Sequence, residues 1–135
     1  MRSFIDSNIL VYHLAGNHPQ YSPRSTALID RLDRGEESGW CTSTVIMETA
    51  FVLERTLNVP RPLIANALAE FVAIPAVEFD YRETILRAIA LWEANVPLSL
   101  PDAYHLAFAK DQGLNRIYTF DRKMNRLPGV ERVEP

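Results

Sequence analysis

The spacing of apolar residues along the chain predicts helices that alternate with short strands. Apolar residues recur every three to four positions over residues 22–34, 61–73, 81–94 and 99–113, and a shorter helical stretch is predicted at 9–14. Short runs rich in apolar and β-branched residues predict strands at 2–6, 40–42, 76–79, 116–119 and 130–133. This alternation predicts an α/β fold, with a central, mostly parallel sheet of about four to five strands flanked by helices.

Polar residues and prolines mark where several of these helices begin and end. Ser22, followed by Pro23, is a candidate N-cap for the helix at 22–34, and Ser99 is the candidate cap for the helix that runs to Gly113. Thr42-Ser43-Thr44 opens a further helix of about 14 residues, which Pro60 ends.

Length and composition indicate one globular domain that spans residues 1–135. A chain of 135 residues with 47% hydrophobic residues is long and apolar enough to form a single core. The one cysteine, Cys41, rules out an internal disulfide, and no stretch approaches the roughly 18–20 apolar residues of a membrane span. Asp6 comes too early for the apolar core of a signal peptide, so we expect a cytoplasmic protein.

Four acidic residues fall where the predicted fold would place a ligand. Asp6 ends the first predicted strand and Asp121 follows the fourth, and ligands of open parallel sheets bind beyond the carboxyl ends of strands. Glu48 lies at the edge of the apolar face of the helix after the second strand, and Asp102 lies in the first turn of the helix at 99–113. Each acid alone has an ordinary explanation as a turn former, a surface glutamate or a helix cap.

Together the four acids indicate a divalent metal site. Carboxylates close together repel one another, and a hard cation such as Mg²⁺ or Mn²⁺, which prefers carboxylate oxygen and water, removes that repulsion. Open coordination positions on such an ion would accept phosphate oxygens and a water molecule, which is the arrangement of metal-assisted phosphodiester hydrolysis.

Four segments of the sequence resemble the PIN-domain nuclease family, and most closely the VapC-type toxins of toxin–antitoxin pairs. They are Phe4-Ile-Asp-Ser-Asn-Ile-Leu10, Ser43-Thr-Val-Ile-Met-Glu48, Leu100-Pro-Asp-Ala-Tyr-His-Leu-Ala107 and Tyr118-Thr-Phe-Asp-Arg122. The resemblance extends over essentially the whole chain. Pro101 stands where many relatives have a small residue, and it suits the first turn of a helix.

The resemblance implies a site, a reaction and partners. Asp6, Glu48, Asp102 and Asp121 correspond to the acidic quartet that binds one or two Mg²⁺ or Mn²⁺ ions, and Asn8 and Thr119 correspond to supporting polar positions. It implies an endoribonuclease that leaves a 3′-hydroxyl and a 5′-phosphate, forms a homodimer and is held inactive by an antitoxin protein. The predicted helical hairpin at 43–73 is the expected antitoxin groove and part of the dimer surface.

The charge balance is compatible with an RNA substrate. The formal net charge is −3, from 14 basic and 17 acidic residues, which by itself disfavours binding to a phosphate backbone. If four acids bind metal, 13 acids remain against the 14 basic residues. The densest basic cluster lies beside Asp121 and is a candidate for phosphate contacts: Arg116, Arg122, Lys123 and Arg126.

Two other classes of protein would require residues that this chain does not have at the expected positions. An aspartyl phosphatase of the haloacid-dehalogenase type would have a second acid two positions after the strand-end Asp, where this chain has Asn8. A receiver domain would have paired acids after the first strand and a lysine after a late strand, and neither is at the expected place. A PIN domain in RNA processing, or one that binds RNA or a partner without cutting, is the remaining alternative to a toxin.

Overall fold

The computed structural model describes residues 2–135 and contains five β-strands and six α-helices along that part of the chain. The chain divides into two units, one extending to Arg82 and one from Glu83 to Pro135. All strand pairs are parallel, so the predicted α/β class and the parallel pairing of about five strands are confirmed. Between residues 2 and 135, no helix combines the length and apolar character needed to cross a bilayer.

The first unit contains a three-stranded parallel sheet and four helices. Its elements are β1 (Arg2–Phe4), α1 (Ser7–Ala15), α2 (Tyr21–Asp33), β2 (Ser38–Cys41), α3 (Ser43–Phe51), α4 (Arg61–Val72) and β3 (Val77–Phe79). The strand order is β1-β2-β3. Phe4 pairs with Trp40 and Cys41 pairs with Phe79, so all three strands end at the same edge.

The second unit contains two helices and a two-stranded parallel ladder. Helix α5 (Arg82–Ala94) is followed by α6 (Leu100–Asp111), β4 (Arg116–Tyr118) and β5 (Glu131–Val133). Ile117 pairs with Arg132. The five strands therefore hydrogen-bond in two separate ladders, one in each unit.

Side chains on one face of the first sheet form one side of a core. Ile5, Cys41 and Val77 are all buried, and Gly39 lies beside them on β2. A Cβ atom at Gly39 would lie 2.7 Å from Ile5 Cδ1, so the close approach of β1 and β2 favours glycine there. Helix α1 packs against both α2 and α3 in this unit.

The predicted N-cap at Ser22 is wrong, because the chain before α2 is capped by a histidine. Helix α2 begins at Tyr21, and Nδ1 of His18 accepts the backbone N–H groups of Gln20 at 3.1 Å and Tyr21 at 2.9 Å. Ser22 is buried inside the first turn, where its hydroxyl accepts the N–H of His18 at 3.1 Å. The His18 ring therefore accepts the helix-end N–H groups that the side chain of a serine N-cap would otherwise bind.

The predicted helix of about 14 residues after β2 has two parts. Thr42 caps α3, accepting the N–H of Val45 at 3.4 Å, and a π-helical turn continues α3 over Val52–Thr56. The wider turn is visible in the bond from Leu57 N–H to the Val52 carbonyl, which spans five residues. Partly buried Glu54 on this turn accepts the Nε–H of Arg61 at 2.9 Å, which ties the turn to the start of α4.

A hydroxyl–carboxylate–guanidinium cluster joins α5 to α6 in the second unit. Oδ2 of Asp111 accepts hydrogen bonds from the buried Thr84 hydroxyl and from the Arg87 guanidinium, both at 2.6 Å. The Arg87 bond holds the pKa of Asp111 below its usual value, although burial acts in the opposite direction. The ends of the two helices are therefore joined through one carboxylate.

We expect Asp111→Ala to lower the free energy of unfolding by about 1–2 kcal/mol, because it leaves the buried Thr84 hydroxyl without its acceptor. Arg87→Ala is the matched control, and we expect it to lower the free energy of unfolding less than Asp111→Ala does, because it leaves the Thr84 bond in place and the Arg87 side chain is solvent-exposed. Because the pKa of folded Asp111 is lowered, its contribution is present at neutral pH and is lost as the pH falls through that pKa. Urea denaturation at pH 7 and at low pH measures both effects, and equal stability of Asp111→Ala and wild type at pH 7 would contradict them.

Candidate functional site

Asp6 stands at the carboxyl edge of the three-stranded sheet and begins α1. Strand pairing continues one residue beyond β1, since the Ile5 N–H donates to the Trp40 carbonyl at 2.8 Å. Asp6 is the N-cap of α1, and its Oδ1 accepts the Ser7 N–H at 2.7 Å. Within residues 2–135, Oδ2 of this exposed carboxylate accepts no hydrogen bond, so one oxygen remains available to a ligand.

The capping role of Asp6 explains why the first strand is shorter than the predicted 2–6. Asp6 has extended backbone angles and accepts a helix-end N–H, so it belongs to the turn between β1 and α1. For the same reason α1 starts at Ser7, two residues before the predicted 9–14. The acid thus has a local structural role and a free oxygen at the same time.

Asn8 and Glu48 project from helices of the same unit. Asn8 is exposed in the first turn of α1, and Glu48 is exposed on α3, which packs against α1. Within the described chain, the Glu48 carboxylate forms neither a hydrogen bond nor an ion pair. Its neighbour Thr49 is fully buried and donates its hydroxyl to the Val45 carbonyl at 2.8 Å, which agrees with the predicted position of Glu48 at the edge of the apolar face.

Asp80 is an acid of this edge that the sequence reasoning missed. It directly follows β3, and its Oδ1 accepts the Ser43 N–H at 3.1 Å while its Oδ2 accepts the Ser43 hydroxyl at 3.0 Å. The carboxylate therefore satisfies donors at the first residue of α3, the helix that carries Glu48. The predicted strand at 76–79, with an aspartate directly after it, is the sequence feature by which Asp80 could have been found.

The Cys41 thiol lies near both Asp6 and Asp80. Burial raises the pKa of Cys41 to about 12, and the charges of Asp80 and Asp6 act in the same direction. Its Sγ lies 3.6 Å from the Ile5 carbonyl oxygen, as expected for a protonated thiol acting as a weak donor. The end of each of the three strands thus contributes to one electronegative edge.

Asp102 begins α6 in the second unit, beside a serine cap. The Ser99 hydroxyl accepts the Asp102 N–H at 3.2 Å, which confirms the predicted cap. The carboxylate of Asp102 does not complete a capping box, since no hydrogen bond joins it to any residue between 2 and 135. It stays half-buried and available to a ligand.

Asp121 follows β4, and Thr119 orders its backbone. The Asp121 N–H donates to the Thr119 hydroxyl at 3.0 Å, and Oδ1 of Asp121 accepts the Lys123 N–H at 2.9 Å at the start of a 3₁₀ turn. Lys123 Nζ lies 3.8 Å from Oδ2, which is an exposed and weak pair. Arg132 donates from Nε to the Asp121 carbonyl at 3.1 Å.

The basic cluster near Asp121 is exposed, but its members occupy two ends of β4. Arg122, Lys123 and Arg126 follow the strand's carboxyl end, as Asp121 does. Arg116 begins the strand, and five residues of extended chain would separate it from Asp121 by roughly 15 Å. Its guanidinium lies 5.7 Å from the Tyr118 ring centroid, so this arginine is engaged with the strand's own surface.

The four predicted acids occur as one pair in each unit, Asp6 with Glu48 and Asp102 with Asp121. Within residues 2–135, no three His, Cys, Asp or Glu side chains are grouped so that they could hold a metal ion together. The donor chemistry still fits a hard divalent cation, because all four are carboxylates and three of them keep an oxygen free of protein donors.

A parallel α/β fold with carboxylates beyond its strand ends is typical of a ligand-binding or catalytic domain. The family model described as the PIN domain matches residues 3–130, and the chain belongs to this family. PIN domains are generally metal-dependent nucleases, so membership indicates a nuclease that acts on nucleic acid. No curated protein matches the chain.

We expect Asp80→Ala to lower the free energy of unfolding by about 1–2 kcal/mol, because the Ser43 N–H and hydroxyl both lose their acceptor. Asp80→Asn retains one carbonyl oxygen and should lose less. Asp33→Ala, which changes an exposed aspartate without a recorded partner among residues 2–135, is the control. Urea denaturation measures the difference, and an Asp80→Ala protein as stable as the control would show that the cap contributes nothing.

Proposed function

We propose that this protein is a Mg²⁺- or Mn²⁺-dependent endoribonuclease in which Asp6, Glu48, Asp102 and Asp121 hold one or two metal ions. The observation that supports the proposal is that three of these acids have carboxylate oxygens without a protein donor. The carboxylates of Glu48 and Asp102 have no partner among residues 2–135, and Oδ2 of Asp6 accepts no hydrogen bond there. Asp80 and Asp111, in contrast, accept hydrogen bonds from protein side chains on their carboxylate oxygens.

The bound ion would lower the pKa of a water molecule and neutralise the charge that develops on the phosphate. Asp6 and Asp102 would be the main ligands, Glu48 would orient the attacking water, and Asp121 would complete the ligand set. Thr119 would hold Asp121 through the bond to its N–H, and Asn8 would contact the substrate or a ligand water. Hydrolysis adds water across the P–O3′ bond and yields a 5′-phosphate and a 3′-hydroxyl.

The phosphates flanking the cleaved bond would be met by the basic residues that follow β4. Arg122 and Arg126 are exposed and form no ion pair within the described chain, and Lys123 has only the long contact with Asp121. Arg116, at the other end of β4, would contact a more distant part of an RNA chain. Phosphate contacts of this kind position the substrate without selecting its sequence.

We further propose that residues 1–135 form a single PIN domain that acts as the toxin of a VapBC-type pair, in the cytoplasm, as a homodimer that an antitoxin protein inhibits. The apolar hairpin formed by α3, the π-helical turn and α4 supports a protein partner. Phe51 on α3 and Leu63 on α4 are 64% and 63% exposed, so the hairpin presents large apolar side chains on its surface. An apolar helix of the antitoxin or the second subunit would cover them.

We expect Asp6→Asn and Asp102→Asn each to lower the rate of RNA cleavage at least about 100-fold, because each removes a charged ligand from the proposed site. Asp33→Asn, at an exposed position outside the site, should cleave at the wild-type rate. The measurement is cleavage of a labelled single-stranded RNA with Mn²⁺ and with EDTA, together with the Mn²⁺-induced rise in melting temperature. Wild-type cleavage by Asp6→Asn with unchanged metal dependence would refute the site.

A nuclease of RNA processing, or a PIN domain that binds RNA or a partner without cutting it, is the second candidate. Expression of the chain alone in a bacterial host distinguishes these from a toxin. We expect growth arrest with the wild type and none with the Asp6→Asn, Asp102→Asn double variant at equal protein level. Normal growth with a wild-type protein that cleaves RNA in vitro would favour the processing nuclease.

A further inference from the structure

A groove of about 570 Å³ lies between α1 and α2 in the first unit. Asn8 of α1 lines it, and Tyr21, Arg24 and Arg31 line it along α2. These three α2 residues are separated by three and seven positions, so they lie in one stripe along the helix. The groove is thus a continuous surface with an aromatic ring at one point and guanidinium groups beyond it.

The groove is positively charged. Two arginines line it and no aspartate or glutamate does. Arg31 is committed, since its Nε donates to Glu37 at 2.8 Å and its Nη1 to the Ala27 carbonyl at 3.3 Å. Arg24 is exposed and has no hydrogen bond or ion pair with any residue from 2 to 135. An uncommitted guanidinium in a groove without acids favours an anionic ligand.

The aromatic part of the groove is held in a fixed arrangement. Tyr21 stacks on His18 with ring centroids 4.1 Å apart and planes 7° apart, and the Tyr12 ring meets both rings edge-on at 5.4 Å. The His18 ring is held in place because its Nδ1 accepts two backbone N–H groups. Tyr21 remains 46% exposed with one face covered by His18, which leaves ring surface on which a nucleobase can stack.

The groove also begins close to the proposed metal ligands. Asn8 lines it and lies two residues after Asp6, in the helix that Asp6 caps. An RNA chain with its cleaved phosphate at Asp6 would therefore have the groove within reach of its neighbouring nucleotides. Tyr21 offers a ring for a base and Arg24 offers a guanidinium for a phosphate. The two residues lie three positions apart on one helix face, so they match the two chemical parts of a nucleotide.

We propose that the groove between α1 and α2 binds a single-stranded segment of the RNA substrate, with one base stacked on Tyr21 and a backbone phosphate on Arg24. The inference rests on the proposed ribonuclease function and specifies its substrate: the RNA must be unpaired beside the cleaved bond, because a base within a duplex is not free to stack on a protein ring.

The test is binding of a fluorescent single-stranded decaribonucleotide to the full chain, measured by anisotropy in EDTA so that the RNA stays intact. We expect Tyr21→Ala to weaken binding about 5–10-fold and Tyr21→Phe to bind like the wild type, since phenylalanine keeps the stacking surface. Arg24→Ala should weaken binding about 3–5-fold and reduce the salt dependence by about one phosphate contact, a slope change of about 0.7.

Arg55→Ala is the matched control, because Arg55 is exposed, lies outside the groove and has no recorded ion pair in the described chain. It should bind RNA like the wild type. An oligonucleotide of the same length with abasic positions separates stacking from phosphate contact. The wild type should bind it more weakly than the normal RNA, and Tyr21→Ala should bind both equally.

The possible outcomes separate this inference from the proposed function. Cleavage at the wild-type rate with unchanged RNA affinity in Tyr21→Ala and Arg24→Ala overturns the groove site and leaves the nuclease intact. RNA binding that depends on Tyr21 and Arg24, without cleavage in Mn²⁺, supports the groove and overturns the nuclease. If the melting temperatures of the variants lie within about 2 °C of the wild type, the lost affinity comes from the groove and not from unfolding. If a protein partner protects Arg24 and the chain binds no RNA, the assignment of the groove to RNA is overturned.

Discussion

Parallel pairing of β1, β2 and β3 is the constraint on which the arrangement of the first unit depends. Parallel strands end at one edge, so the residues that follow them meet there even though 74 positions separate Asp6 from Asp80. In this chain those residues are polar: Asp6 after β1, Thr42 and Ser43 after β2, and Asp80 after β3. The electronegative edge follows directly from the strand direction.

The same edge contains two aspartates that differ in how many of their carboxylate oxygens the fold uses. Asp80 uses both carboxylate oxygens on Ser43 and fixes the start of α3, whereas Asp6 uses one oxygen on α1 and keeps the other. An ionised carboxylate has about four acceptor positions on its two oxygens, and each hydrogen bond from a protein donor occupies one of them. Asp80, which accepts from the Ser43 N–H, the Ser43 hydroxyl and the Tyr81 N–H, therefore has fewer positions left for a cation than Asp6, whose Oδ2 accepts from no donor among residues 2–135.

Much of the fold follows from the sequence because its elements rest on local patterns. Helices α4 and α6 and the cap at Ser99 agree with their predicted positions within about two residues, since apolar periodicity and a capping serine are encoded within one segment. The cap at His18 could not be predicted, because it needs an imidazole turned back onto the next two residues. The partnership of Asp80 with Ser43 spans 37 positions and exists only once β2 and β3 are paired. The sequence also cannot show that Asp6 and Asp102 keep carboxylate oxygens without a protein donor, because hydrogen-bond partners are determined by the tertiary structure around each residue.

The π-helical turn at Val52–Thr56 has a consequence for how this hairpin can change in evolution. A turn that closes over five residues instead of four absorbs an extra residue without rotating the helix on either side. Glu48 lies upstream on regular α-helix, and the exposed apolar side chain of Leu63 lies downstream on α4. An insertion or deletion confined to the turn therefore leaves the direction of Glu48 unchanged, so the segment that joins α3 to α4 can vary in length during evolution without moving this carboxylate.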